Sequence, residues 1–265
     1  MRKIYITHLY ITHFIIIINF GGDFVRKDAY RIISAAMYIL SFISFFCLVR
    51  TDISSVCTVS YLHMIKFITA FSVFVFGYAA TVLRHKSVSG EKMRQSYIYK
   101  TTVWFFIVYC FIVFDFTLMD NSFGRRISSI FSCAPYEIRE YLIQNTNVIP
   151  FDTIVLFIRG YMKGVLPLAV VIENTLGNLL VFAPFALFLP IISKRYYRWR
   201  SFSTAIALSV LFVEVMQLIF LTGSMDIDDF LLNVSGALIM FAVFKVPKVG
   251  RVLNRLTFGA WDYER

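Results

Sequence analysis

Six stretches of this chain are each long and oily enough to cross a bilayer, and nothing else in the sequence constrains its fold so tightly. Apolar runs lie near 32–49, 63–83, 101–119, 166–192, 201–222 and 230–247. A helix needs ~20 predominantly apolar residues to span hydrocarbon. Backbone N–H and C=O groups find no water there, so only helices or closed barrels can cross. Barrel strands alternate apolar and polar residues over short segments, and these runs do not alternate. Composition agrees, since 16% of the 265 residues are charged against about a quarter in a soluble domain. The sequence predicts an all-α, polytopic transmembrane helix bundle of about six spans.

The net charge of +10 would suggest nucleic acid in a soluble chain. Here the cations sit between the runs. Arg26, Lys27 and Arg31 precede the first. Arg84, Lys86, Lys92, Arg94 and Lys100 separate the second and third, and Lys194, Arg195, Arg198 and Arg200 the fourth and fifth. Lys245, Lys248, Arg251 and Arg255 follow the sixth. The alternate connections, 50–62, 120–165 and 223–229, are poor in Lys and Arg or mixed. This is the positive-inside pattern. It predicts a multi-pass protein of the cell membrane, with both ends cytoplasmic if the first span starts near Arg31, and no nucleic-acid partner.

Four regions follow: an N-terminal segment 1–30, two accessory spans in 31–100, a domain at 101–247 and a basic tail at 248–265. Two readings stand for the first. YITHL at 5–9 and YITHF at 10–14 lead into IIIINFGGDF, which is apolar enough for an extra helix. A signal peptide would show a small-residue cleavage site, and none follows. Alternatively, Gly21-Gly22-Asp23 is encodable as a ribosome-binding sequence and Val25 as a start codon, so that translation begins at residue 25. The four cysteines lack CxxC spacing and a nearby His pattern, so zinc is not expected. Cys57 and Cys133 fall in outside loops, where a disulfide or two free thiols both fit. Within 120–165, Phe151, Ile154, Phe157, Ile158 and Tyr161 recur at helical spacing. This predicts a helix over 151–162 that lies flat in the interface or packs over the bundle. Pro150 sets its start.

The polar residues that look deliberate lie between Asn174 and Gly236. Asn174, Gly177 and Asn178 share one face of the fourth run. Gly177 is expected to admit another backbone, Pro184 to kink the span and Pro190 to mark its end. Glue between helices explains these residues well. Glu214 and Gln217 share a face of the fifth run, and an ionisable residue inside a membrane is a functional candidate by default. Asp226, Asp228 and Asp229 lead into Asn233 and Gly236. Asp226 is suited to cap the sixth helix, which explains one carboxylate of three. The trio is a weak cation signature, and no metal or other cofactor is expected. The predicted topology brings these motifs on three spans to one level, near the outer interface, as a polar pocket.

At this point the motifs form a familiar set. NVIPF at 147–151, NTLGNLLVFAPFALFLP at 174–190, EVMQ at 214–217 and DIDDFLLNVSG at 226–236 together resemble the VanZ-like family of bacterial membrane proteins. The resemblance covers roughly 101–247. It implies site positions at Asn147, Pro150, Phe151, Asn174, Gly177, Asn178, Phe182, Pro184, Pro190, Glu214, Gln217, Asp226, Asp229, Asn233 and Gly236. The chain departs from the family pattern at Ser224-Met225, where many members carry Arg, and at Phe185-Ala186, where a Gly is common. The family's association with resistance to the glycopeptide teicoplanin implies a cell-envelope role.

Three functions are weighed. In the first, which is not enzymatic, Asn147, Asn174, Asn178, Glu214, Gln217, Asp226, Asp229 and Asn233 bind a lipid-linked peptidoglycan precursor, a membrane lipid or a lipophilic glycopeptide. In the second, Glu214, Asp226 and Asp229 are the acid–base residues of an intramembrane enzyme acting on a lipid-linked substrate. No nucleophile with an adjacent base supports it. The third is proton-coupled transport through Glu214, without the internal repeat common in transporters.

Overall fold

The computed structural model describes residues 23–53, 59–119 and 135–262. The tandem repeat, the Cys57 and Cys133 thiols and residues 120–134 of the 120–165 connection lie outside them. Among the described residues six helices are long and apolar enough to cross a membrane: Arg26–Val49, Ile68–Ser87, Glu91–Leu118, Leu168–Ile192, Trp199–Ile219 and Ile227–Lys245. The predicted helix bundle is the fold observed. The third span starts earlier than its apolar run. Its helix begins at Glu91 and takes in Lys92, Arg94 and Lys100, because the turn before it is only a few residues long and closes on Gly90 at φ 93.

The chain forms two compact units, 1–101 and 102–265. The first contains α1 (Asp23–Ile53) and α2 (Val59–Ser87), and the start of α3 (Glu91–Phe114). Small polar residues at seven-residue spacing hold the α1–α2 pair. Ser34 Oγ donates to the Ala80 carbonyl at 2.9 Å and Ser41 Oγ to that of Val73 at 2.8 Å. Short side chains let the two backbones approach, and each hydroxyl finds its partner across the seam, which is how helices associate without a hydrophobic driving force.

In the second unit α3 runs into a π-helical turn, Asp115–Met119. Next come α4 (Pro135–Gln144), the two-residue strand β1 (Thr146–Asn147) and α5 (Asp152–Met162). The fourth span is broken into α6 (Leu168–Val181) and α7 (Phe185–Ile192). A 3₁₀ turn, Lys194–Tyr197, leads to α8 (Trp199–Ile219). The strand β2 (Met225–Asp226) opens α9 (Ile227–Lys245), and α10 (Pro247–Leu256) follows. α5 is the helix predicted over 151–162. None of its residues is buried, and Val155, Leu156, Ile158, Tyr161 and Met162 stand exposed. Pro190 lies buried inside α7, two residues short of the helix end.

Two features set the packing of this unit. The first is the break at Pro184. Proline donates no hydrogen bond, and the chain relaxes there into tight turns, with Phe185 N bonding Phe182 O at 3.1 Å. Tyr109 Oη, from α3, donates to the Val181 carbonyl at 2.7 Å. A carbonyl at a helix break must find a side chain when no water is near. Around the break Phe106, Tyr109, Phe182, Phe185 and Phe188 form an aromatic cluster with centroids 5.1–6.1 Å apart. The second is the α6–α9 crossing. A Cβ placed on Gly236 would sit 1.7 Å from the Leu179 carbonyl oxygen. The close backbone approach expected at Gly177 is therefore made at Gly236, since a Cβ on Gly177 would meet nothing within 4 Å.

Gly236→Ala forces two backbones apart. A loss of about 3 kcal/mol is expected, read as a lowered midpoint of thermal unfolding in detergent, whereas Gly177→Ala is expected to leave that midpoint unchanged or raise it. Tyr109→Phe leaves the Val181 carbonyl without its donor and is expected to cost about 1–2 kcal/mol in the same assay.

Candidate functional site

The carboxylates gather where α5, α6, α8 and α9 end together. β1 and β2 pair in parallel there, with Thr146 opposite Met225 and Asn147 opposite Asp226. Met225 N donates to Asn145 O at 2.9 Å, and Tyr141 Oη to Gly223 O at 2.7 Å. These contacts fasten the NVIPF segment beside the Asp run.

Each aspartate has its own task. Asp226 caps α9, accepting the Asp228 amide at 2.9 Å. Its carboxylate also accepts Asn147 Nδ2 at 3.2 Å and Thr153 Oγ1 at 2.5 Å. Asp228 is fully buried and caps a different helix. It accepts Phe151 N at 2.5 Å and Ile154 N at 3.1 Å. The start of α5 presents unsatisfied amides and a positive dipole end, and a carboxylate from α9 meets both. This clasp accompanies a left-handed Phe151 at φ 67, a conformation that costs a non-glycine residue about 1–2 kcal/mol. Asp229 accepts Asn178 Nδ2 from α6, and Asn233 Nδ2 bonds back to the Asp229 carbonyl at 2.8 Å. The three carboxylates thus tie α9 to itself, to α5 and to α6. Among the described residues no group of three His, Cys, Asp or Glu side chains is placed to hold a metal ion.

Glu214 and Gln217 sit buried on one face of α8. Glu214 Oε2 accepts the Asp226 amide at 3.3 Å. Gln217 Nε2 donates to Thr117 O at 3.1 Å, a carbonyl in the π-helical turn at the end of α3. Beside Glu214 lies a cavity of about 160 Å³ lined by Asn147, Val148, Leu211, Glu214, Met225, Asp226, Ile227 and Phe230. Asn147, Glu214 and Asp226 border this space, but its exposed wall is apolar, because their polar groups are turned to protein partners.

The VanZ/LLP1 family model matches residues 106–248. The chain belongs to the VanZ/LLP1 family. No curated protein and no solved structure matches it. The VanZ/LLP1 region starts within α3, ends at the first turn of α10, and contains every residue of the site. The resemblance read from four short motifs is thereby borne out.

Within the VanZ/LLP1 region the structure brings Asn147, Glu214 and Asp226 together at the cavity. It joins Asn178 to Asp229, places Asn233 one turn below, and gives Gln217 a backbone partner. Asn174 stands apart, exposed on α6, its amide turned to its own Val170 carbonyl at 2.8 Å. Pro150 and the Phe151 ring are exposed at the start of α5, so these positions shape the turn. Sequence reasoning missed Thr153, which gives no signal of its own, and the trans-capping role of Asp228. It also missed Asp115, buried in the π-helical turn. An acid inside an apolar run is the signal that singled out Glu214, and it applies to Asp115 equally.

Asp228→Ala orphans two backbone amides at once, and a loss of about 2–4 kcal/mol is expected. Phe151→Gly removes the left-handed penalty and is expected to raise the unfolding midpoint. Parallel thermal melts of the two purified variants against wild type check both.

Proposed function

We infer that the cavity beside Glu214 and Asp226 is a binding site for part of an envelope amphiphile. The ligand is a lipid-linked wall precursor or a lipophilic glycopeptide, and the bound protein contributes to glycopeptide tolerance. The observation that carries this reading is an apolar-walled cavity set directly beside the buried polar cluster of Asn147, Glu214 and Asp226. Such a wall accepts apolar surface, and the carboxyl groups behind it disfavour phosphate. The complementary group is the apolar part of an amphiphile. The lipid chain of a wall precursor and the acyl chain of a lipophilic glycopeptide both qualify. At about 160 Å³ the space is smaller than the ~300 Å³ of a small drug-sized site, so it takes one group of a larger molecule. By the positive-inside reading this end of the helices faces outward, where such molecules are found.

An acid–base role for the carboxylates is the second reading. Glu214 favours it, as an acid at the cavity wall. Asp226 does not, since its oxygens already receive Asn147, Thr153 and the Asp228 amide.

Teicoplanin susceptibility of a sensitive Gram-positive host separates these ideas. Cells express wild type, Glu214→Gln or Leu211→Trp at matched membrane abundance. Binding predicts that wild type raises tolerance, that Leu211→Trp abolishes it by filling the cavity, and that Glu214→Gln, still able to accept a hydrogen bond, retains part. Complete loss in Glu214→Gln alone favours acid–base chemistry. No gain of tolerance with wild type sinks the glycopeptide reading.

A further inference from the structure

The opposite end of α8 carries a second concave site that the carboxylate reading does not use. It has a volume of about 700 Å³ and is lined by Lys194, Arg195, Tyr197, Arg198, Trp199 and Lys245. Fifteen helical residues separate Trp199 from Glu214, which is about 22 Å. Four cations from two separate connections, the 3₁₀ turn before α8 and the last turn of α9, thus converge on one hollow. Among the described residues none of the four forms a salt bridge.

The positive-inside pattern accounts for cations at this level of the membrane. It does not account for their convergence on a concavity, where like charges raise one another's energy until an anion joins them. The walls are held by packing contacts. Tyr197 is buried against Trp261 with centroids 5.3 Å apart, and its hydroxyl accepts the Asp262 amide at 2.7 Å. Trp199 stands edge-on to Phe241 at 4.8 Å and remains half exposed. Lys245 Nζ lies 5.2 Å from the same Phe241 ring. Aromatic rings of this kind sit at headgroup depth. A mouth of aromatic and basic side chains at the edge of the hydrocarbon admits a ligand whose phosphate enters the hollow while its chains stay in the bilayer.

We propose that this pocket binds the phosphate of an anionic phospholipid headgroup. A free phosphate offers the same chemistry, and the test distinguishes the two. The site is independent of the carboxylate cavity, and either assignment can fail alone.

The purified protein is titrated in detergent with phosphatidylglycerol or phosphatidylcholine and examined by native mass spectrometry, as wild type, Arg195→Gln, Lys245→Gln and Arg251→Gln. The last removes an exposed charge on α10 outside the pocket. One phosphatidylglycerol is expected to remain bound per wild-type chain, with affinity about fivefold lower for each pocket charge removed and unchanged in Arg251→Gln. Phosphatidylcholine is expected to bind at least about fivefold more weakly. Unfolding midpoints measured without added lipid check that all four proteins are folded. Equal retention of the two lipids, or equal weakening in Arg251→Gln, overturns the proposal. A rise in the midpoint with inorganic phosphate alone, together with displacement of bound phosphatidylglycerol, overturns the lipid assignment and makes free phosphate the ligand.

Discussion

A helix that starts away from water leaves four amides to satisfy, and hydrocarbon offers nothing to satisfy them with. Much of the second unit follows from how this chain meets that constraint. Asp226 closes the start of α9, and two residues later Asp228 closes the start of α5. One short acidic run therefore anchors two helices that lie far apart in sequence. Burying a carboxylate among apolar side chains is costly unless several donors converge on it. That convergence brings Asn147, Thr153, Phe151 and Ile154 to a single place. The parallel register of β1 and β2 and the cavity beside Glu214 depend on the same clasp.

The same physics governs the break in the fourth span. Pro184 interrupts the helical ladder where water is scarce, and Tyr109 from α3 supplies the missing donor to Val181. The break lets α6 and α7 take different directions, so that α7 fills the aromatic core while α6 reaches the rim of the site. Closeness between α6 and α9 then rests on a single missing side chain, that of Gly236 against Leu179. In the first unit the solution differs in chemistry and agrees in principle. Ser34 and Ser41 donate across a seam of small residues, giving adhesion between helices whose apolar surfaces lipid would cover equally well.

Polar groups in such a protein carry two duties at once. Glu214 accepts an amide and also lines a cavity. Asp226 caps a helix and borders the same space. A residue buried for structural reasons is held rigid, and rigidity is what a binding wall needs, so the two duties reinforce one another. Gln217 shows the limit of this, since its amide is spent on Thr117 in the π-helical turn and it does not line the cavity.

The sequence by itself determined the class of the molecule. Runs of apolar residues admit only helices in a bilayer, so six spans, the helix after Pro150 and the break at Pro184 were legible, as was the family, from four motifs in order. That Asp226 would cap α9 was legible too, because capping is local. Only the tertiary structure decided which polar residues meet. Helical spacing set Asn174 and Asn178 on one face, but it could not say that the first lies on the exposed rim and bonds its own backbone while the second reaches Asp229. Nor could it move the close approach from Gly177 to Gly236, or give Asp228 a helix other than its own to cap. Spacing fixes directions around one helix axis, whereas these contacts depend on the rotation and depth of one helix against another, which packing alone sets.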